Sequence, residues 1–272
     1  MGEAHRPMIL VTNDDGVHAP GIKFLASVAS EFGDVIVIAP AGGMSGMGHA
    51  ITIKTPLRCH ELVPNGVQRQ FAVEGTPVDC VKLAIRKLLK RKPDLLLSGV
   101  NHGSNASVNI IYSGTMAAAF EGAMAGIPSV GFSLLDYSHN APLEHLRPFL
   151  RQVIQNTLDH GLPPNVCLNV NMPPFKPEEP IKGIRLCRQA VGHWKEDFEE
   201  RVDPHHQPYF WLHGEFVRQD YGEDTDLSAL EQHWISLVPV HFDFTAFHAM
   251  DTLQRWNGVT PSMINSGGYE IL

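Results

Sequence analysis

The amino-acid sequence predicts an α/β fold: an open, three-layer arrangement around a mostly parallel sheet. Three observations carry this. Short apolar, β-branched runs alternate with helical spacing through the first two-thirds of the chain. Strands separated by helices pair in parallel through right-handed crossovers. The chain has 272 residues, 43% hydrophobic and 18% charged, enough to bury a substantial core.

Each element has its own signal. Met8–Val11 is a short apolar strand. Ile22, Leu25, Val28, Ala29 and Phe32 then recur at helical spacing, with Pro20 at the entrance and Gly33 at the exit. Asp34–Pro40 is a β-branched strand, and Ala41–Gly48 a glycine-rich loop. The segments 50–63 and 68–75 read as extended chain around the Pro64-Asn65-Gly66 turn, a hairpin. Thr76, Pro77 and Asp79 form a helix start, and that helix runs to about Leu89. Asp94–Asn101 is a buried strand, 113–126 a small-residue helix, 127–135 a strand, 145–160 a helix and 165–173 the closing strand.

Beyond about Asn171 the texture changes to proline, aromatics and short extended segments. A single domain over 1–272 is expected, with an α/β core at 1–173 and a less regular extension at 174–272. The extension reads as a hairpin arm and a final helix around Ala246–Trp256. Its Tyr, Phe and Trp residues either pack on another subunit or cover the parent sheet.

Composition narrows the function. A net charge of −8 speaks against a nucleic-acid polymer as partner. It leaves room for a small phosphorylated substrate, since a cation and backbone amides make local positive potential. No apolar run approaches the roughly 20 residues of a membrane span, and the polar start MGEAHRP has no export segment after it, so a cytoplasmic protein is expected. Cys59, Cys80, Cys167 and Cys187 are far apart with no CxxC pair, which predicts reduced, packed thiols and no structural zinc. None of the 15 histidines forms a compact ligand pattern, and His205-His206 reads as an exposed turn.

Chemistry is predicted at the strand ends, where ligands of open α/β sheets bind. The first strand runs into Asn13-Asp14-Asp15, the second into the loop with Ser45, and the Leu95–Leu97 strand into the segment with Asn101 and Asn105. Adjacent carboxylates repel unless a positive charge is held between them. Two carboxylates, a hydroxyl and an amide carbonyl are hard oxygen donors, a set that suits Mg²⁺ or Mn²⁺ and admits Ca²⁺. Opposite them, Ser113 can cap the small-residue helix, Gly114 permits close approach of a ligand and Thr115 adds a hydroxyl. Free amides and the helix dipole at that end favour phosphate. Such a site polarises a phosphoryl oxygen and activates water for in-line displacement. Asp14 is placed either to orient or deprotonate that water or to act as nucleophile itself; metal-activated water is the preferred route.

The segments ILVTNDDGVHAPGI, VIAP…SGMGHAIT, EGTPVDCVKLA, SGVNHGSN, YSGTMAAAFEG, LNVNMP and DTDLSALEQHWISLVPV, spread in order over nearly the whole chain, resemble the SurE family, the stationary-phase survival proteins that are metal-dependent nucleotidases. The resemblance implies a Rossmann-like core and one divalent cation per subunit at Asp14, Asp15, Ser45 and Asn101. It implies phosphate contacts from Asn105, Ser113, Gly114 and Thr115. It further implies hydrolysis of nucleoside 5′- and 3′-monophosphates and of short polyphosphate, and a homodimer or homotetramer built through the C-terminal arm. Ala41, Met44, His102 and the stretch 106–111 depart from the usual family pattern, which leaves base preference and pH optimum open. His18 and His49 flank the predicted site; Asn171 reads as support for the sheet edge and Glu121 as a surface residue or a structural pair.

The nearest rival is a phosphoacceptor receiver module, which also places paired acids after its first strand. It needs a separate phosphoacceptor aspartate and a lysine after a late strand, and neither is supplied by Ser98–Asn101 or by 127–135. No GxGxxG follows a strand into a helix, so a dinucleotide site is not expected.

Overall fold

The sheet is built around its first strand, β1 (Met8–Thr12), where Ile9, Leu10 and Val11 are each wholly buried. Burying three such side chains contributes about 1.5–3 kcal/mol apiece, so β1 sits where both faces are covered. The computed structural model describes residues 6–138, 140–256, 258 and 260. Five further strands precede the closing strand of the first half: β2 (Asp34–Pro40), β3 (Cys59–Leu62), β4 (Arg69–Val73), β5 (Leu95–His102) and β6 (Ser129–Leu134). β7 (Val166–Met172) follows. Their order in space is β3-β4-β2-β1-β5-β6-β7.

All neighbours from β4 to β7 run parallel, and only β3 turns back antiparallel against β4 as the predicted hairpin. The extended chain expected over 50–63 forms a strand only from Cys59; the residues before it have no ladder partner and sit as loop.

Helices α1 (Pro20–Ala29) and α4 (Arg147–His160) share one face of the sheet and one apolar cluster. On the other face lie α2 (Pro77–Leu83) and α3 (Gly114–Met124), whose Cys80, Val81 and Ala118 join a second cluster. Three layers result. The start of α2 is the predicted capping box: Thr76 Oγ1 accepts from Asp79 N at 3.1 Å, and Asp79 Oδ2 accepts from Thr76 N at 2.9 Å. The helix continues to Leu88 as a wider π turn, close to the predicted end.

The extension contributes to the main sheet as well as to an arm. β8 (Ile184–Leu186) and β11 (Ile235–His241) add to it in the order β7-β11-β8, with β11 antiparallel to β7. Here the sequence texture is misleading, because Pro239 interrupts a strand that nonetheless pairs along its length with residues 166–171. Between them, β9 (Gly192–Val202) and β10 (Pro208–Arg218) form a separate two-stranded hairpin. His205 and His206 lie exposed at its tip, as expected. Phe198, Phe210, Trp211 and Leu212 are exposed along it. α5 (Asp226–Glu231) leads into β11, and α6 (Phe247–Leu253) is the final helix predicted around Ala246–Trp256. All four cysteines are free, and all but the half-buried Cys59 are buried.

Candidate active site

Strand order places the candidate residues. The chain moves from β1 to β2 on one side, whereas β5 lies on the other, so the order reverses at β1. A crevice forms at such a reversal, beyond the carboxyl ends of the strands. Asp14 and Asp15 leave the end of β1 there, between the loop after β2 and the end of β5.

The turn is set locally. Asn13 Oδ1 accepts from Gly16 N at 3.2 Å, and Asn13 Nδ2 donates to Gly16 O at 3.0 Å. Gly16 has φ +101°, a backbone region open to glycine, and a Cβ there would lie 3.2 Å from the Gly42 backbone. The acidic turn and the glycine-rich loop are thus in close contact. Met44 N donates to Asp14 O at 2.7 Å, which brings the adjoining, exposed Ser45 to this edge.

Asp14 is almost wholly buried, at 4% exposure. Burial, helped by the neighbouring Asp15 charge, raises its carboxyl to about 6, against a lowering hydrogen bond from Thr115. That bond, Thr115 Oγ1 to Asp14 Oδ1, measures 2.5 Å. Gly114 lies so near that a Cβ would be 2.8 Å from Asp14 Cβ and 3.0 Å from its Oδ2. Ser113 caps α3, its Oγ accepting from Met116 N at 3.0 Å. The structure therefore brings Asp14 and the Ser113-Gly114-Thr115 helix start into direct contact.

Asp15 Oδ2 lies 3.4 Å from the donating N–H nitrogen of His102 and 3.5 Å from His102 Nδ1. Asn101 gives its amide nitrogen to Gly103 O at 3.0 Å, which leaves its carbonyl oxygen as the donor for a cation. Pairing of β5 with β6 shifts register between Ser98 and Asn101, an irregularity of the kind that re-aims side chains at strand ends. Among the described residues no three His, Cys, Asp or Glu side chains cluster as metal ligands. The donor chemistry nonetheless fits a hard divalent cation: two adjacent carboxylates, one desolvated, with an amide oxygen and a hydroxyl on the flanking segments.

Asn105 is more deeply set. Its Nδ2 donates to Ser133 Oγ at 2.5 Å, its N–H to Asn171 Oδ1 at 2.9 Å, and its carbonyl accepts from Asn169 Nδ2 at 2.9 Å. Asn171, read from the sequence as support for the sheet edge, holds the loop through Asn105 N, while the parts of Ser133 and Asn169 in this network escape sequence reading because their partners lie far off in the chain. His18 is exposed. His49 Nε2 lies 3.3 Å from Glu121 Oε2, and Lys82 Nζ 2.6 Å from Glu121 Oε1. Burial would raise Glu121, but these two partners outweigh it and hold the carboxyl below its ordinary value, a structural pair as predicted.

The family model described as "Survival protein SurE" matches residues 9–196. The chain is 53% identical over 254 residues to the 5′-nucleotidase SurE of Christiangramia forsetii, covering 93% of this chain and 97% of the relative. It belongs to the SurE family. The 5′-nucleotidase SurE of Bacteroides fragilis is 40% identical over 255 residues, covering 93% of this chain and 99% of that one. The crystal structure of the SurE protein from Aquifex aeolicus superposes with a TM-score of 0.77 at 36% identity, over 91% of this chain and 98% of that one. In this SurE chain four of the motifs that carry the resemblance lie along the β1, β2 and β5 ends and the start of α3, and the others lie at α2, in β7 and over α5 and β11. Within them, Met44 meets Asp14 through its backbone and His102 borders Asp15, so two of the sequence departures touch the acidic edge itself.

Proposed function

We propose that the chain is a divalent-cation-dependent 5′-nucleotidase, a phosphomonoesterase that hydrolyses nucleoside 5′- and 3′-monophosphates, and short polyphosphate, with release of phosphate. The contact between Asp14 and the α3 start carries this reading. A cation site and an anion site side by side suit a phosphoryl group that bridges them.

Asp14, Asp15, Ser45 and Asn101 are the proposed ligands of the cation, Mg²⁺ or Mn²⁺, with Ca²⁺ an acceptable substitute. When bound there, the ion supplies charge neutralisation at the phosphoryl oxygens and a lowered pKa for water. Gly114 and Thr115 offer backbone N–H groups, and Ser113 its hydroxyl hydrogen, to the equatorial oxygens at the positive end of the helix dipole. Asn105 adds its second amide hydrogen, the first being engaged with Ser133. Asp14 orients the attacking water and accepts its proton through its carboxylate, which lies against the start of α3.

We also assign the protein to the cytoplasm and to a homodimer or homotetramer built through the C-terminal arm. Four free thiols suit a reducing compartment. The exposed Phe198, Phe210, Trp211 and Leu212 make the hairpin a surface that a second subunit would cover. No described helix is long and apolar enough to cross a membrane.

The deciding experiment is a phosphate-release panel over AMP, GMP, a pyrimidine nucleotide, a 3′-nucleotide and tripolyphosphate, with Mn²⁺, with Mg²⁺ and with chelator. Release from nucleotides that needs the metal is expected. Stable phosphorylation of the chain without turnover would replace this reading with the receiver module.

A further inference from the structure

The segment that joins Asn105 to Ser113 is held from outside. Within it, Ser107–Ile111 forms a 3₁₀ turn, and Ser107 has φ +54°, a left-handed conformation uncommon for serine. Ser107 is wholly buried, as is Asp226 at the start of α5, 119 residues away in sequence. Asp226 Oδ2 accepts from Ser107 N at 2.8 Å, and Asp226 Oδ1 accepts from Ala190 N at 2.9 Å. Ser107 Oγ in turn donates to Ala190 O at 2.9 Å, which closes a ring of three hydrogen bonds. The serine hydroxyl completes the ring, which accounts for serine where glycine would meet the backbone requirement more easily.

A second tie lies two residues further on. Trp194, in β9 at the base of the hairpin arm, donates Nε1–H to Asn109 Oδ1 at 2.8 Å. Asp226 and Trp194 thus grip the segment from the C-terminal extension, while Asn171 and Asn169 hold its entrance at Asn105. Hydrogen bonds to a buried carboxylate are among the stronger kinds, because losing one leaves a desolvated group unpaired.

We propose that Asp226, seconded by Trp194, is a positioning residue for the phosphate end of the active site, fixing the 105–113 segment and through it Asn105 and Ser113. The proposal rests on the reading of those two residues as phosphate contacts. It ties the hairpin arm to the chemistry, because the base of the arm is one jaw of the grip. The metal end has further supports of its own, in the Asn13 turn and the bond from Met44 N to Asp14 O, so it should loosen less than the phosphate end even though Gly48 N donates to Tyr112 O at 3.1 Å and Thr115 Oγ1 to Asp14 Oδ1 at 2.5 Å.

The test compares full-length wild type with Asp226→Asn and Trp194→Phe. KM and kcat for AMP are measured with Mn²⁺, Mn²⁺ affinity by calorimetry, and amide exchange over peptides spanning 104–112. Faster exchange there is expected in both variants. KM should rise about tenfold in Asp226→Asn and a few-fold in Trp194→Phe, with kcat and Mn²⁺ affinity within about twofold. Unchanged exchange in 104–112, or KM and Mn²⁺ affinity weakening together as in a general loosening, overturns the proposal. Should Asp226→Asn not fold, Trp194→Phe decides by the same criteria. Should wild type release no phosphate from any nucleotide, the functional reading fails and the exchange rates alone judge the tether.

Discussion

Thr115 donates its hydroxyl to Asp14 across 2.5 Å, and so fastens the first turn of α3 to the end of β1. One bond joins the proposed phosphate cradle to the proposed cation ligand. Thr115 pulls the Asp14 carboxyl down while burial pushes it up, and burial prevails.

Thr115→Val keeps shape and removes the donor. The Asp14 carboxyl should then rise beyond about 6, and a cation must compete with its proton to a higher pH. Calorimetric Mn²⁺ affinity measured across pH 5–8 should fall off at higher pH in the variant than in wild type. Coincident curves would detach Thr115 from Asp14 energetically.

Without metal, Asp14 should be a liability at neutral pH. Its folded value of about 6 exceeds the ordinary 3.8, so the fold prefers the protonated carboxyl. The associated stability is fully present below about 3.8, declines as pH rises, and is lost above about 6, a change of about 3 kcal/mol at most. Asp14→Asn should therefore abolish turnover and yet stabilise the metal-free protein at pH 7.5. Urea unfolding in chelator at pH 5 and pH 7.5 checks this; an Asn variant that keeps the wild-type pH slope refutes it.

Gly114→Ala sets two effects against each other. Alanine in a helix is favoured by up to about 1 kcal/mol over glycine. Its Cβ, however, would meet Asp14 Cβ at 2.8 Å and Oδ2 at 3.0 Å, so the carboxylate or the helix start must move. Catalysis is more sensitive to such a shift than stability is, with displacements near 1 Å costing about a hundredfold. Thermal unfolding within a few degrees of wild type, with phosphate release down at least tenfold, is expected. Undiminished release would show that the close approach is not required.

For the arm, the strand positions dictate where to cut. Truncation after Asp224 would remove β11 from the main sheet and confound assembly with folding. Lys195 and Glu215 are cross-strand partners, so joining them by a short turn removes the outer hairpin and leaves β11 and Trp194 in place. The shortened chain should fold, by circular dichroism, and run as a smaller assembly by light scattering. An assembly of unaltered subunit number would refute the arm's role.

Much of the architecture is readable in the chain because its signals are local. Asp34–Pro40 announces itself by β-branching, and Thr76 with Asp79 spells out a capping box that the structure contains. The acidic turn, the glycine-rich loop and the α3 start are likewise short motifs next to strands or helices, and parallel pairing alone gathers them at one edge. What escapes is non-local. Ser133, Asn169 and Asp226 matter through partners 28 to 119 residues away, and polar residues of that kind look like ordinary surface until the fold buries them. β11 is obscured for a related reason, since its alternation is broken by Pro239 and its partner β7 lies far earlier in the chain.

That late strand bears on biosynthesis. β7 has β6 on one side, but among the described residues its other edge is paired only by residues 236–241. A ribosome-bound chain halted before those residues emerge would carry a nearly finished parallel layer with a raw, sticky border. Long-range pairing of this type is slow and leaves such borders exposed to aggregation. The newborn protein thus depends on its closing stretch to seal the sheet, and chaperone demand should peak in the interval between translation of Met172 and of His241.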